Sequence, residues 1–392
     1  MFSTTLELTE RCHLERSREA KTKMKPLKVI LSGGGTGGHI FPAVAIANEI
    51  KKIVPHADIL FVGALGKMEM EKVPAAGYKI IGVPIAGFQR KFTLANLKLP
   101  FLIISSLFKT RKIINEFKPD VVVGTGGYAS GPLLKAAISN GIPALLQEQN
   151  SYAGITNKIL SKKASKICVA YEGMEQFFPK EKIVLTGNPV RQDIINVSAK
   201  RDEAIEFFKL DNHKKIILVI GGSLGAKGIN EAIGDGLQIL AEQHIQLIWQ
   251  TGKTYFEIAQ KQTATFESNN IKAVDFITRM DFAYACADVV ISRAGAGAIS
   301  ELCIVQKPSI LIPLPTAAED HQTKNAMALV SKKAAILVKD ADAKKQLIKE
   351  AISIINNSAL QQELSKNCGL LALPNSTHII ANEVLKLAHY NL

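Results

Sequence analysis

At 392 residues, the chain is long for a single hydrophobic core, so two domains of ordinary size are expected. Lys and Arg total 48 against 35 for Asp and Glu, which favours an anionic partner such as a phosphorylated metabolite, a nucleic acid or an acidic membrane surface. Five scattered cysteines without a CxxC pair argue against a disulfide framework or a zinc site and fit a reducing cytoplasm.

The N-terminal residues 1–24 are polar and charged, and they lack the apolar central region of a signal peptide. Met24 opens the sequence MKPLKVILSGGG, which is typical of a natural beginning. We therefore expect residues 1–24 to be a disordered extension or the product of an upstream start codon. No apolar run in the chain is long enough to span a bilayer as a helix.

The first strong pattern is a strand, a glycine turn and a helix over residues 28–49, KVILSGGGTGGHIFPAVAIANE. An apolar strand stops at Ser32, the glycine-rich turn runs to His39, and a helical pattern starts after Pro42. Glycines let a ligand approach the backbone, and free N–H groups at a helix start attract phosphate. The pattern predicts a diphosphate site, although a tight turn with a capping histidine is the alternative. The spacing is not the dinucleotide pattern GxGxxG.

Short apolar strands then alternate with amphipathic segments, which indicates βαβ units and a parallel sheet buried on both faces. The predicted strands are 59–63, 79–83, 121–124, 144–147, 166–170 and 183–186. Such sheets bind ligands at the carboxyl ends of their strands. Two polar motifs lie there, GTGGYASGP at 124–132 and EQN at 148–150.

The pattern restarts at 214–220, where another apolar strand precedes the turn GGSLGA and a helix from about Gly228. This repeat predicts a second doubly wound domain that faces the first, and the Gly-Asn-Pro break within 187–197 favours a linker there. We place the domains at 25–188 and 189–372. The further strands are predicted at 246–250, 273–276, 289–292, 309–312 and 335–338.

A basic and apolar stretch, residues 87–118, separates two strands of the first domain. Its basic residues are Arg90, Lys91, Lys98, Lys109, Arg111 and Lys112. Phe88, Phe92, Phe101 and several aliphatic residues lie between them. The combination suits docking on an anionic membrane surface without spanning it. An ordinary amphipathic helix that packs on its sheet is the alternative.

The second domain carries the sequence DVVISRAGAGAISELCIVQKPS at 288–309. A strand, a small-residue turn and a helix start again predict a phosphate site, and Glu301 could accept hydrogen bonds from the vicinal hydroxyls of a ribose. The alternative for Glu301 is an acid placed favourably near a helix start. A polar loop follows, in which Gln322 and Asn325 can donate and accept as sugar hydroxyls require.

Taken in order, the motifs GGGTGGH, GTGGYASGP, EQN, GNPVR, GGSLGA, SRAGAGAISE and DHQTKNA resemble the MurG family of bacterial N-acetylglucosaminyltransferases. The resemblance runs from about Lys28 to the C-terminus. It implies an α/β fold of the GT-B type, in which two Rossmann-like, doubly wound parallel-sheet domains face a cleft. It also implies that a C-terminal helix, within residues 373–392, crosses back to the first domain.

The reaction that the resemblance implies is an inverting transfer of N-acetylglucosamine (GlcNAc) from UDP-GlcNAc. The acceptor is the 4-hydroxyl of the N-acetylmuramyl sugar (MurNAc) in undecaprenyl-pyrophosphoryl-MurNAc-pentapeptide, called lipid I, and the product is lipid II of peptidoglycan synthesis. The resemblance places Ser223 near the donor diphosphate, Ile277 near the uracil and Glu301 on the ribose. Gln322 and Asn325 would face the donor sugar.

The remaining site residues also follow from the resemblance. Those that line the donor side of the cleft are Thr36, Gly37, Gly38, Asn150, Arg191, Ala296, Gly297, Ala298, Ile299 and Ser300. Tyr128 would lie near the acceptor diphosphate. His39 is the candidate general base because its ordinary pKa is near neutrality, and Glu148 is the competing candidate. His39 could instead bind the acceptor diphosphate or the donor.

We expect no cofactor and no metal, because no DxD-like site appears and helix N-termini can stabilise a leaving diphosphate. The expected partners are UDP-GlcNAc, lipid I, an anionic membrane surface and other wall-synthesis and division proteins, but no nucleic acid. The expected location is peripheral, on the cytoplasmic face of the bacterial inner membrane.

Rival interpretations are a glycolipid glycosyltransferase, a UDP-GlcNAc 2-epimerase, a nicotinamide-dependent dehydrogenase and a non-catalytic basic binding module. The glycine spacing disfavours the dehydrogenase. The module lacks aromatic stacking motifs.

Overall fold

The computed structural model describes residues 26–85, 99–222 and 225–390. The expected extension at 1–24, the first part of the basic and apolar stretch with Arg90, Lys91 and Lys98, and the candidate Ser223 lie outside the described residues. The described chain forms two parallel sheets, each covered by helices.

The first sheet has seven parallel strands in the order β3-β2-β1-β4-β5-β6-β7. They are β1 (Lys28–Gly33), β2 (Asp58–Ala64), β3 (Lys79–Val83), β4 (Val121–Gly126), β5 (Ala144–Glu148), β6 (Lys166–Val169) and β7 (Ile183–Leu185). In β1, Ile30 enters one hydrophobic cluster while Val29 and Leu31 enter the cluster on the other face. Burial on both faces explains why the strands are continuous apolar runs.

The helices of this half are α1 (Gly37–Ile53), α2 (Glu69–Ala75), α3 (Leu99–Phe117), α4 (Ser130–Ser139) and α5 (Ile155–Ser161). The expectation that the first helix starts after Pro42 is wrong, because α1 begins at Gly37 and contains Pro42. The carbonyl of Thr36 accepts hydrogen bonds from the backbone N–H groups of His39 and Ile40 at 3.1 and 3.2 Å. These bonds start the helix before the proline, so His39 lies in the first turn of α1.

The second sheet has six parallel strands in the order β10-β9-β8-β11-β12-β13. They are β8 (Ile216–Ile220), β9 (Gln246–Gln250), β10 (Ile271–Val274), β11 (Val289–Arg293), β12 (Ser309–Ile312) and β13 (Ile336–Leu337). Two hydrophobic clusters again cover its two faces. The predicted fold class, two doubly wound parallel-sheet domains, is confirmed, and every predicted strand is found with boundaries shifted by at most two residues.

The helices of the second half surround this sheet. They are α6 (Arg201–Phe208), α7 (Lys227–Asp235), α8 (Leu237–Glu242), α9 (Phe256–Thr263), α10 (Met280–Cys286), α11 (Ala296–Val305), α12 (His321–Val330), α13 (Ala343–Ile355) and α14 (Ser358–Gly369). The helix predicted from about Gly228 begins at Lys227.

The last helix, α15 (Ser376–Leu387), packs against α1 rather than against the second sheet. Its Ile380 and Val384 share a buried cluster with Ile46 and Ile50 of α1. On the surface, His378 Nδ1 lies 2.9 Å from an oxygen of Glu49. The chain therefore passes between the two halves twice, once after β7 and once between α14 and α15.

Candidate active site

Both glycine turns lie at the places where the strand order of their sheets reverses. In the first sheet the reversal is between β1 and β4, and in the second it is between β8 and β11. The loops that follow these strands diverge to opposite faces of the sheet and leave a crevice, which is where open parallel sheets bind ligands. The two crevices are the candidate acceptor and donor sites.

In the first crevice, the imidazole of His39 is held by a backbone carbonyl. His39 Nδ1 lies 3.0 Å from the carbonyl oxygen of Gly34. Because a carbonyl can only accept, Nδ1 carries the proton in the neutral ring and Nε2 keeps its lone pair. Within the described residues no protein group bonds to Nε2, which lies beside Gly126 at the end of β4. Burial lowers the pKa of His39, while the Gly34 bond and the carboxylates of Glu148 and Glu69 oppose that shift.

A fully buried carboxylate, Glu69, braces the same turn from the opposite side. Its two oxygens accept hydrogen bonds from the backbone N–H groups of Gly35 at 2.9 Å and of Ala64 at 3.0 Å. Side chains at Gly34 and Gly63 would overlap with Glu69. Some of the glycine content of these loops therefore makes room for Glu69 and not for a ligand.

Glu148, the competing base, is engaged by its own loop. One oxygen accepts hydrogen bonds from the backbone N–H and the side-chain amide of Asn150, at 3.1 and 3.2 Å. The other accepts from the N–H of Gly154 at 3.0 Å and from the amide of Asn157 at 2.8 Å. With four donors on two buried oxygens, Glu148 holds the loop after β5 in shape and acts on His39 through its charge.

In the first crevice, Thr36, Gly37 and Gly38 form the start of α1, where no side chain caps the helix. Their free N–H groups are suited to an anion. The half-exposed ring of Tyr128 lies over Gly35. The structure thus brings the residues of the two first-domain glycine motifs together around His39.

On the donor side, the helix α11 begins at Ala296 after Gly295, again without a side-chain cap. Ala296, Gly297 and Ala298 occupy its first turn, so their N–H groups are available to a phosphate. The side chain of Ile299 is buried in the core, and the hydroxyl of Ser300 accepts a hydrogen bond from Asn188 at 3.0 Å.

Glu301 lies one turn further along α11 and accepts a hydrogen bond from the hydroxyl of Tyr284 at 3.0 Å. Burial raises the pKa of Glu301, and the charge of Arg191 and the Tyr284 bond oppose the shift. Arg191 is itself paired with Asp193 at 3.1 Å and is exposed. The structure therefore brings Glu301 and Arg191 into the same part of the cleft, with an open carboxylate oxygen for a ligand hydroxyl.

The second glycine turn is braced by the buried amide of Gln250. This side chain donates to the carbonyl of Gly222 at 3.2 Å and accepts from the N–H of Ile277 at 3.0 Å. The side chain of Ile277 packs in the core, so only its backbone can meet a ligand.

The two halves meet through polar side chains close to both crevices. Asn325 accepts hydrogen bonds from the N–H and hydroxyl of Ser151, at 2.9 and 3.1 Å, and donates to Asn150 at 3.1 Å. The ammonium group of Lys324 lies 3.2 Å from the ring centre of Tyr152. Asn325 is therefore occupied by the first half in this arrangement, and contact with a donor sugar would require these bonds to open.

The loop before α12 is strained at its cleft end. Glu319 and Asp320 both have positive φ, at 50° and 54°, a conformation that is uncommon for residues other than glycine. The backbone N–H of Leu314 donates to Gln322 at 2.9 Å, which leaves the amide nitrogen of Gln322 for a ligand. His321, the first residue of α12, interacts electrostatically with Glu148 and His39 across the cleft.

Sequence reasoning did not single out Glu69, Asn188, Gln250 and Tyr284. Each of these side chains forms a hydrogen bond in the site with a residue 17 to 112 positions away along the chain. The sequence could have indicated Glu69 and Gln250. Glu69 lies after β2, the neighbour of β1, and Gln250 ends β9, the neighbour of β8, and a glycine turn follows both β1 and β8. In the described parts of the chain, no group of three or more His, Cys, Asp or Glu side chains is arranged to hold a metal ion.

Two facing doubly wound domains, each with a ligand crevice where its strand order reverses, define the GT-B fold. The model of the glycosyltransferase family 28 N-terminal domain matches residues 29–169, and that of the C-terminal domain matches residues 216–377. The chain belongs to glycosyltransferase family 28.

Individual relatives agree with this assignment. The UDP-N-acetylglucosamine–N-acetylmuramyl-(pentapeptide) pyrophosphoryl-undecaprenol N-acetylglucosamine transferase of Flavobacterium psychrophilum is 57% identical over 364 residues, covering 93% of this chain and 98% of that protein. The crystal structure of Acinetobacter baumannii MurG is 30% identical, with a TM-score of 0.75 over 92% of this chain and 100% of that one. The resemblance to the MurG family is confirmed.

A UDP-N-acetylglucosamine 2-epimerase also shares the fold, with a TM-score of 0.61 over 94% of this chain and 98% of that one. At 16% identity, this likeness shows the fold alone.

Proposed function

We propose that this enzyme transfers GlcNAc from UDP-GlcNAc to the 4-hydroxyl of the MurNAc sugar of lipid I, with inversion, and so makes lipid II. The observation that carries the proposal is the position of His39, whose free Nε2 stands at the first crevice while the uncapped start of α11 lies in the second half. A near-full-length relative at 57% identity bears the name of this reaction.

In the proposed reaction, Nε2 of His39 takes the proton of the acceptor hydroxyl. The hydroxyl oxygen then forms the new bond to the anomeric carbon of GlcNAc, and the bond from that carbon to the diphosphate oxygen breaks. Its electron pair leaves with UDP. A neutral imidazole is needed at the start, and the lowered pKa of His39 favours that form near neutral pH.

The charge that develops on the departing UDP is stabilised by the N–H groups at the start of α11. Helix N-termini carry a partial positive charge and need no reorganisation at the moment of reaction. We therefore propose transfer without an obligatory metal ion. Turnover that persists in excess EDTA is the expected result, and its abolition, restored by added Mg²⁺, would contradict this part.

We assign the donor to the second half, with Glu301 on the ribose, the backbone of Ile277 at the uracil and Gln322 toward the sugar. The acceptor diphosphate is assigned to the turns around Gly35 and Gly126, with Tyr128 close by. The open second oxygen of Glu301 and the free amide nitrogen of Gln322 support this division.

The deciding experiment compares acceptors. Radiolabelled GlcNAc is supplied as UDP-GlcNAc to a synthetic lipid-linked MurNAc-pentapeptide and, in parallel, to diacylglycerol. Product on the muramyl lipid alone is expected. Product on diacylglycerol alone would favour a glycolipid transferase, and conversion of UDP-GlcNAc to its 2-epimer without any transfer would favour an epimerase.

We also propose that the first half docks on an anionic membrane surface through α3. The buried face of this helix carries Ile113 and Ile114, whereas Phe101 and Phe108 on the outer face are 76% and 72% exposed. Arg111 lies beside Phe108 in a shallow groove between α3 and α4. Exposed aromatic residues beside cations suit the interface of an anionic bilayer. No helix within the described residues is both long and apolar enough to cross a membrane.

Vesicle sedimentation tests this surface. The double variant Phe101→Ser, Phe108→Ser should bind vesicles containing anionic phosphatidylglycerol about tenfold or more weakly, given the apolar area removed. Ile258→Ser is the matched control, since Ile258 is half-exposed on α9 of the second half. Equal binding by the double variant and the parent would overturn the proposed surface, and with it the proposed peripheral location at the cytoplasmic face of the inner membrane.

The domain division at 188 and 372 stays a proposal with support from the fold. The last strand of the first sheet ends at Leu185, and the helix α14 ends at Gly369. The two connections between the halves are in contact, because a side chain at Gly187 in the first would overlap with Leu373 and Ser376 in the second. We propose that these connections form the hinge between the domains.

A further inference from the structure

The peptide group that joins Gly34 to Gly35 is held from both sides by ionisable side chains. Its carbonyl oxygen, on Gly34, lies 3.0 Å from Nδ1 of His39. Its N–H, on Gly35, donates to Oε2 of Glu69 at 2.9 Å. Because the C=O and N–H of a trans peptide point in opposite directions, the carboxylate and the imidazole lie at opposite ends of one planar unit.

We propose that Glu69 is a positioning residue for His39, acting through this peptide group in the order carboxylate, Gly35 N–H, Gly34 C=O, His39 Nδ1–H. In this role it resembles the acid of a catalytic triad, except that a peptide stands between the acid and the imidazole. Glu69 itself does not touch the substrates.

The surrounding loops hold the carboxylate of Glu69 in this position. Glu69 is fully buried, and its other oxygen is fixed by the N–H of Ala64 at 3.0 Å. A Cβ at Gly34 or at Gly63 would overlap with its side chain. On the far side, a Cβ at Gly127 would overlap with the backbone of Gly34. The peptide is therefore clamped between the carboxylate and the turn that follows β4.

The clamp has two physical consequences for the base. First, a fixed Gly34 carbonyl keeps the proton on Nδ1 and leaves Nε2 as the proton acceptor. Second, hydrogen bonds in a chain polarise one another, so a peptide N–H bonded to a carboxylate has a more negative carbonyl oxygen and a stronger bond to Nδ1–H. Both effects favour proton uptake at Nε2.

Other charged groups also act on His39, and their effects must be distinguished from the effect of Glu69. Glu148, at the end of β5, raises the pKa of His39 through space, and His321, at the start of α12, interacts with it across the cleft. Both oxygens of Glu148 are used by Asn150, Gly154 and Asn157. Among these groups, Glu69 has the hydrogen-bonded path to Nδ1.

The test compares Glu69→Gln with Glu71→Gln on the same short helix. Glu71 is exposed and paired with Lys72 at 2.9 Å, so it controls for loss of a carboxylate from α2. The primary readout is ¹⁵N NMR of the His39 ring through a pH titration, without any substrate. The second readout is the pH profile of kcat, with KM for UDP-GlcNAc measured alongside.

In Glu69→Gln we expect the titration midpoint of His39 to fall by about half a unit to one unit and the ring to lose its single tautomer. We expect kcat to fall about tenfold or more at a constant KM for the donor. Glu71→Gln should match the parent in every readout. A folded Glu69→Gln protein with an unchanged midpoint and tautomer would overturn the proposal.

A second measurement covers the case in which Glu69→Gln does not fold. In the unsubstituted protein, glycine labelled with ¹³C at the carbonyl and with ¹⁵N reports each Gly–Gly peptide separately. The Gly34–Gly35 peptide should shift with the same midpoint as His39, whereas the Gly221–Gly222 peptide should not. A Gly34–Gly35 signal that stays constant through the titration of His39 would overturn the proposal. This inference rests on the proposed reaction for the direction of proton transfer. The NMR readouts need no acceptor substrate, so a failure of the inference can be distinguished from a failure of the proposed reaction.

Discussion

The two glycine turns follow equivalent strands of their sheets, β1 and β8, but are braced by side chains of different charge. In the first half, the carboxylate of Glu69 accepts a hydrogen bond from the N–H of Gly35. In the second, the amide of Gln250 holds the carbonyl of Gly222 and the N–H of Ile277. Both braces are buried. A carboxylate changes the proton affinity of its neighbours, whereas an amide only orients them.

In the proposed reaction, the first turn supports proton transfer, whereas the second turn holds an anionic ligand. The first turn carries His39, a side chain that can change charge near neutral pH. In the corresponding turn of the second half, the described residues are Gly221, Gly222, Gly225 and Ala226, which have no titratable side chain. Of the two braces, the one beside His39 is therefore the one that carries a charge.

The largest expected effect is that of removing the base from the first turn. His39→Ala should lower kcat by about a hundredfold to ten-thousandfold, because general base catalysis is lost. Donor binding should be retained, since the donor is assigned to the second half. Calorimetric titration with UDP-GlcNAc and single-turnover transfer assays measure the two quantities. If kcat were unchanged while the donor no longer bound, His39 would be a binding residue and the comparison would fail.

The acid limb of the pH profile follows from the same histidine. Burial lowers the pKa of His39, and in the proposed reaction the neutral ring is the active form. On acidification, kcat should therefore persist and decline only below the ordinary histidine value of 6.5. The measurement is kcat at saturating substrates between neutral and acidic pH. A decline centred above 6.5 would contradict the sign of the shift.

In the second half, Glu301→Gln should weaken donor binding about tenfold or more, because a charge-assisted hydrogen bond to the ribose is lost. The effect should appear in KM for UDP-GlcNAc with little change in kcat. Since burial raises the pKa of Glu301, donor affinity in the parent should also fall on acidification, at a pH above the ordinary 4.5 of glutamate. Tyr284→Phe, which removes the bond to Glu301, should have a smaller effect in the same direction. An equal loss of kcat would show that the second half takes part in more than binding.

A matched pair of glycine substitutions sharpens the comparison further. Gly126 and Gly222 both have positive φ, at 103° and 81°, so alanine should cost about 1–2 kcal/mol at either position. At Gly126, however, the new methyl group would lie 2.7 Å from Cδ2 of His39, whereas at Gly222 it would meet nothing within 4 Å. Because of this overlap, Gly126→Ala should lower the unfolding temperature at least as much as Gly222→Ala, and its kcat should fall several-fold more. Equal values of kcat would mean that the position of the imidazole is not critical.

Much of the fold could be predicted from the sequence because strands buried on both faces are short apolar runs that end in glycine turns. The strands Lys28–Gly33 and Ile216–Ile220 are examples. The start of α1 was misplaced because Pro42 was taken as a helix start, whereas the carbonyl of Thr36 begins the helix earlier. Local patterns cannot show such a choice.

The site was predicted less completely, for a related reason. Glycine turns and His39 are contiguous in the chain, so their chemistry is visible locally. Glu69 lies in an ordinary charged segment, and its importance depends on a bond to a residue 34 positions earlier. Asn325 looks like a sugar-binding amide, yet in the structure it joins the two halves through Asn150 and Ser151. Long-range partners of this kind depend on the tertiary fold.

The packing of α15 on α1 also fixes an order of events during synthesis. Ile380 and Val384 complete the hydrophobic cluster under the helix that carries His39. In a nascent chain, these residues are made after all strands of the second sheet. The hydrophobic cluster under α1 is therefore completed only after the strands of both sheets have been made.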